Sequence, residues 1–151
     1  YNIKFMSLKE LIDSLTFTYD ERSIYYLIKK YDMNYDVANI YLNNLKYVND
    51  NYGHEEGNNL IKKAGAILIN TQLEKSEIIR TDGNEFLIYL IGYSKSQIST
   101  YISKLSKEFE KLPYNFGAAI GYSMIEDEIK TIDDAINEAT IDMRKDKENY
   151  K

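Results

Sequence analysis

The sequence contains no cysteine and no tryptophan, one proline, one histidine and seven glycines in 151 residues. Without cysteine there are no disulfides and no thiolate metal sites, and the chain suits a reducing cytosol, so a cytoplasmic location is expected. With Pro113 alone and no Gly/Ser-rich stretch, no linker and no second domain boundary are visible. No run approaches the roughly 18 apolar residues that cross a bilayer, and no signal-peptide pattern opens the chain. Cations are also short. Lys and Arg total 19 against 24 Asp and Glu, a formal net charge of −5. Phosphate contacts need clustered cations, which argues against nucleic-acid binding as the main role.

What is present is ordinary for a globular protein: 44% apolar and 28% charged residues. A chain of this size buries roughly 68–70% of its unfolded surface, enough for one real core. Residues 1–151 therefore read as a single domain. The abrupt start at Tyr1, inside what reads as a structured segment, suggests a piece excised from a longer protein.

The most informative stretch runs from Arg80 to Leu87, where Asp82-Gly83 stands between apolar runs (Ile78-Ile79 and Phe86 to Ile91). Asp-Gly in that setting signals a tight hairpin whose two central residues take positive φ. Glu85 sits at the edge of the second, apolar strand, where a carboxylate is costly without a purpose. On this stretch alone, a plain hairpin and a functional one are equally well served.

Apolar spacing places further elements along the chain. Ser7 to Leu15 is a short helix candidate, and Asp20 caps a second one through Ile24, Leu27, Ile28 and Tyr31. Val37 to Leu42 is a strand, followed by a polar loop from Asn43 to Gly57. A helix then carries Leu60, Ile61, Ala64, Ile67 and Leu68. After the hairpin, Ser94 to Leu112 is a helix stopped by Pro113. Phe116 to Ile125 is a strand, and Thr131 opens a last helix with a capping-box-like start. The order strand, helix, strand, strand, helix, strand is the split βαβ arrangement, an α+β fold with a mostly antiparallel sheet flanked by helices. Many functions use it, so the site must decide.

Four segments resemble the GGDEF family, the diguanylate cyclases that join two GTP molecules into cyclic di-GMP. Asp13-Ser14-Leu15-Thr16 resembles the opening Asp-x-Leu-Thr. Lys46 to Asn58 resembles Lys-x-x-Asn-Asp-x-x-Gly-His-x-x-Gly-Asp. Arg80 to Phe86 stands where Arg-x-Gly-Gly-Asp/Glu-Glu-Phe belongs, and Met143 to Lys147 is similar to the closing Met-Tyr-x-x-Lys. The resemblance implies the palm-like GGDEF fold across nearly the whole chain.

It also implies which chemistry is missing. The family's two magnesium carboxylates correspond here to Tyr41 and Asn84, and its second strand-end Asp corresponds to Asn43. Magnesium favours carboxylate oxygens, and neither a phenol nor a carboxamide carries that charge. Phosphoryl transfer relies on metal to neutralise developing charge, so losing several kcal/mol costs roughly a thousandfold or more in rate. Asn84 also forfeits the role of base. Glu85 is left as a catalytic remnant. Leu73 and Ser76 stand where the product-feedback Arg-x-x-Asp belongs, so no such site is expected. Asp82 replaces the first signature glycine and would face triphosphate charge.

Nucleotide recognition is expected to outlast catalysis. Asn49 matches the guanine-reading Asn, Asn58 replaces a guanine-reading Asp, and Lys46 and Lys147 match phosphate-contacting lysines. Gly83 keeps the backbone approach at the turn. The bland readings are a turn-favouring Asn49, surface lysines, and Tyr41 as ordinary strand packing. His54 reads as structural.

The implied function is a degenerate GGDEF domain that regulates a neighbouring effector, such as an EAL phosphodiesterase domain, and binds GTP without turnover. No cofactor is required, and magnesium would bind only weakly with GTP. The implied partners are a guanine nucleotide, that adjacent domain and a second copy of the chain. The alternatives are an interaction or dimerisation scaffold with a dead pocket, or a weak cyclase or nucleotide hydrolase using Glu85.

Overall fold

The computed structural model describes residues 10–23, 26, 36–114, 116–123 and 141. A five-stranded sheet in the order β1-β3-β4-β2-β5 forms its centre. The strands are β1 (Tyr19–Asp20), β2 (Asp36–Leu42), β3 (Ser76–Asp82), β4 (Glu85–Leu90) and β5 (Ala118–Ser123). β2 pairs antiparallel with both β4 and β5, β3 pairs antiparallel with β4, and only β1–β3 is parallel. The helices are α1 (Leu45–Tyr52), α2 (His54–Asn70) and α3 (Lys95–Glu110). From β2 onward the expected split βαβ order holds, with the first helix broken in two.

Strand alternation builds the core. Ala38, Ile40 and Leu42 of β2 and Phe86, Ile88 and Leu90 of β4 join Leu60, Ala64 and Leu68 of α2 and Ile98, Leu105 and Phe109 of α3. The intervening residues Val37, Ile79, Leu87, Tyr89 and Ala119 are buried too, so neither face of the sheet is wet there. That explains the continuous apolar run of β4, which a one-sided strand would not need. α3 starts at Ser94, whose side chain accepts from the Gln97 N–H while Gln97 Oε1 accepts from the Ser94 N–H. Burial pushes the Tyr101 phenol on this helix up to about 12. α3 ends at Glu110 rather than Leu112, with Lys111 as its cap.

Five expectations need correction or fall outside the described residues. The polar segment 43–57 is not a loop: it holds α1 and the start of α2, separated by Gly53 at φ 91°. Its composition is polar because, of α1, only Val48 is fully buried. Of the helix expected over 7–15, residues 7–9 are not described, while 10–15 do not continue as an α-helix. Instead Asp13 folds the chain back by accepting from the Thr16 N–H at 3.0 Å and from Thr16 Oγ1 at 2.7 Å, and Ile12 bridges to Tyr19. An Asp that satisfies backbone donors three residues on competes with helix. Asp20 does cap, accepting from the Arg22 N–H at 2.8 Å, but the described continuation is a 3-10 turn, Glu21–Ser23. Most of the helix expected there, the one opened by Thr131, and the end of the strand expected to reach Ile125 lie outside the described residues.

The hairpin is correct in place but not in detail. Asp82 pairs with Glu85, so Gly83-Asn84 form the turn, and the register shifts between Arg80 and Asp82. Neither Asp82 nor Gly83 takes the positive φ expected of an Asp-Gly pair; among the described glycines only Gly53 and Gly92 do. The irregularity at Thr81 supplies the local twist that a primed turn would otherwise provide.

Candidate nucleotide site

The candidate residues fall at two corners, one at the end of β2 and one at the α1–α2 junction. The first is the signature turn beside the end of β2. Tyr41 lies opposite Glu85 in the β2–β4 register, and the Leu42 N–H donates to the Asn84 carbonyl at 2.8 Å. Asn84 Nδ2 makes a long contact of 3.5 Å with the Leu42 carbonyl. Tyr41, Asn84 and Glu85 are all half-buried. Asn43, one residue past β2, is buried, and its Nδ2 finds no acceptor among the described residues. The three positions where resemblance expects metal carboxylates or their neighbour are thus brought together.

The turn is held from behind. Arg80 Nη1 donates to both Asp13 oxygens at 3.2 and 3.1 Å, and its Nη2 donates to the Gly83 carbonyl at 3.0 Å. Asp82 Oδ1 accepts from the Gly83 N–H at 2.7 Å. Arg80 therefore ties the reverse turn at Asp13–Thr16 to the signature turn through a planar fork that a lysine does not reproduce. Thr16 in turn lies against Gly65 of α2, where a Cβ would approach Thr16 Cβ to 2.8 Å. Asp13 and Arg80 each fall within a motif, but their separation of 67 residues hides the pairing in the sequence.

Burial alone would raise the Asp13 carboxyl, but hydrogen bonds from Thr16 and Arg80 together with the guanidinium charge outweigh it and hold it below the usual range. A depressed carboxyl stabilises the fold above its unfolded value near about 4 and loses that contribution as pH falls through the folded value. The melting temperature gap between the wild type and Asp13→Asn is therefore expected to be open at pH 6 and to close below about pH 4. Calorimetry across that range checks it, and a gap independent of pH contradicts it.

The second corner is the α1–α2 junction. Asn49 is half-buried, and its Oδ1 lies on Gly57, where any side chain would collide with it. Asn58 follows immediately and is exposed, as are Lys46 in the first turn of α1 and His54 at the start of α2. Asn49 and Asn58 are thus brought to one corner. Gly83 is exposed at the turn. Lys147 lies outside the described residues. Ser76 Oγ donates to the Leu73 carbonyl at 2.8 Å, so these two positions bond to each other.

A third feature has no motif in the sequence. Tyr52 stacks on Tyr114 with centroids 4.5 Å apart and meets Tyr47 edge-on at 6.3 Å. Asn44 and Tyr114 both adopt φ 64°, joined by Asn44 Nδ2 donating to the Tyr114 carbonyl. The only available signal was the count of 15 tyrosines.

The family model described as "Diguanylate cyclase, GGDEF domain" matches residues 20–151. The chain belongs to the GGDEF family. It is 28% identical over 121 residues to diguanylate cyclase DgcP of Escherichia coli (strain K12), covering 75% of this chain and 35% of that protein. The chain thus spans about a third of that relative's length. The fold is similar to that of the diguanylate cyclase SiaD of Pseudomonas aeruginosa, solved in complex with its activator SiaC. That match has a TM-score of 0.84 at 18% identity, over 94% of this chain and 60% of that one. It also resembles the Vibrio cholerae LapD S helix-GGDEF-EAL structure bound to c-di-GMP, with a TM-score of 0.81 at 13% identity, over 93% of this chain and 35% of that one. This is a GGDEF domain of cyclic di-GMP signalling with an α+β fold. No described helix is long and apolar enough to cross a membrane.

Proposed function

We propose that this domain binds a purine nucleotide without cyclising it and regulates a neighbouring effector. The observation that carries the reading is the donor set at the end of β2. Tyr41 and Asn84 occupy the positions where the family's motif calls for carboxylates, and they converge with Glu85 at one corner. A phenol, a carboxamide and one acid do not suit magnesium, which favours carboxylates arranged for near-octahedral coordination. Asp82 adds an exposed anion where a triphosphate would approach. The GGDEF-EAL arrangement of LapD supports an EAL domain as the effector, and the SiaD–SiaC complex supports regulation through a bound protein. Asn49 and Asn58 at the α1–α2 corner, together with Lys46 in the first turn of α1, support retained nucleotide contact.

Incubation with GTP and magnesium followed by chromatography is expected to yield no cyclic di-GMP. Multiple turnovers would overturn the reading. A scaffold reading is favoured by one observation, the exposed tyrosines Tyr47 and Tyr52 stacked toward Tyr114. Calorimetric titration with GTP separates the two: heat of binding at micromolar GTP supports the nucleotide reading, and none up to millimolar supports the scaffold.

A further inference from the structure

The turn from Asp13 to Thr18 holds a phenylalanine in a strained conformation and gives it no burial in return. Phe17 takes φ 61°, a region that a bulky L side chain rarely occupies. Its side chain is nevertheless 75% exposed. The turn is clamped around it. The Asp13 N–H donates to the Thr18 carbonyl at 2.7 Å, and the Phe17 N–H donates to the Asp13 carbonyl at 2.9 Å. The hydroxyls of Thr16 and Thr18, on either side, are bonded to each other at 2.8 Å. Strain kept in place by surrounding bonds is a pointer to function. Phe17 also lines a cavity of about 260 Å³, together with Ile12, Ile69 of α2 and Ile78 of β3. Ile12 and Ile69 are 37% and 42% exposed, so half of the exposed large apolar side chains among the described residues lie at this one hollow. An apolar cavity of about 150 Å³ accommodates benzene, so this one has room for a phenyl ring.

We propose that this face binds a second copy of the chain, the Phe17 ring of each copy entering the cavity of the other. Two observations select that occupant. One patch carries both a projecting ring and a hollow with room for it, which a twofold interface requires, since the same surface serves both partners. The charge pattern agrees. The chain carries −5 overall, but Glu77 is the only charged side chain lining the cavity. Two acidic chains repel each other least where their contact is nearly neutral. Gln72, also in the wall, already donates from Nε2 to the Ser76 carbonyl at 2.9 Å, so closing the cavity leaves its amide a partner. Glu77 and Ile78 lie at the end of β3 opposite the signature turn. The pairing therefore stands whether or not a nucleotide binds.

Sedimentation equilibrium of the chain at concentrations up to about 1 mM tests it. The expected result is a monomer–dimer equilibrium with a dissociation constant of roughly 10–500 μM, since a patch of this size falls below a standard interface. Phe17→Gly removes the ring and takes positive φ without strain, so it is expected to keep the fold, as read by circular dichroism. Its dimerisation should weaken by about tenfold or more. Ile69→Lys stands in the last turn of α2, where the helix dipole favours a cation, and places charge in the hollow. It is expected to weaken pairing to a similar degree. An equimolar mixture of the two variants regains one of the two ring-in-cavity contacts and is expected to associate more than either variant alone. A wild type that stays monomeric throughout would overturn the proposal and leave the face to a different occupant. Phe17→Gly that dimerises like wild type would overturn it too, by placing the interface elsewhere. A mixture no more associated than its parts would show that the ring does not enter the cavity.

Discussion

Phe86→Ala is expected to lower unfolding stability by about 3–5 kcal/mol, the usual cost of removing a buried phenylalanine and leaving a cavity. Phe86 has no exposed surface and belongs to the main core cluster. Its backbone is paired on both sides, with Ile40 of β2 and with Arg80 of β3. The ring therefore sits where the signature hairpin meets the central strand, with little freedom for neighbours to collapse into the void. Against a total of about 5–15 kcal/mol for a typical domain, that loss leaves the variant marginal at best. Urea unfolding followed by circular dichroism checks it: the midpoint should fall while the denaturant slope stays constant. Phe86→Leu retains most of the volume and is expected to recover more than half of the loss. Equal stability of wild type and Phe86→Ala would mean that the hairpin is not anchored through this ring.

The consequence reaches the site, because Phe86 follows Glu85 and lies two residues after Asn84. Phe86 and Ile88 anchor the hairpin in the main core immediately next to the turn. Arg80 fixes the same turn from the other flank by bonding the Gly83 carbonyl. A turn held on both sides explains why it needs no positive-φ glycine.

Most of the sheet was legible in the sequence because β2, β4 and β5 are dense apolar runs with few competing readings. α1 was not. Its eight residues bury only Val48 fully, so no apolar stripe announces it, and asparagines suggested a loop. What makes it helical is tertiary: Leu45 and Val48 close over α2, and Gly53 turns the chain between the two helices. The Asp13–Thr16 turn was misread as helix for the opposite reason. Leu8, Leu11, Ile12 and Leu15 stand at helical spacing, but the Asp13 carboxylate, bonded by Thr16 and Arg80, folds the chain back on itself. At the site, motif spacing singled out Tyr41, Asn84 and Glu85, and a tight hairpin beside a strand end brings these three positions together. The Arg80 tie and the tyrosine cluster were invisible, since both join residues that are dozens of positions apart.

Acids placed at the β2–β4 corner are expected to produce a magnesium dependence that the proposed function does not expect of the wild type. In Tyr41→Asp/Asn84→Asp, three carboxylates including Glu85 would converge in a half-buried corner. Like charges at this range raise one another's proton affinity and destabilise the fold unless a cation is present. Magnesium then binds the folded form alone, and stability rises with its concentration by linkage. The double variant should therefore melt lower than wild type without magnesium and regain stability on adding millimolar magnesium, while wild type shifts little. Its GTP affinity should also become magnesium-dependent by about tenfold or more, the equivalent of about 1.4 kcal/mol. Differential scanning fluorimetry and titration calorimetry measure the two effects separately. Cyclic di-GMP synthesis is not required of this variant, because Asp82 and Asn58 still differ from the family's motif. A wild-type chain whose melting point and GTP affinity already climb steeply with magnesium would show that Tyr41, Asn84 and Glu85 hold the ion as they stand. The proposed absence of turnover would then lose its physical basis.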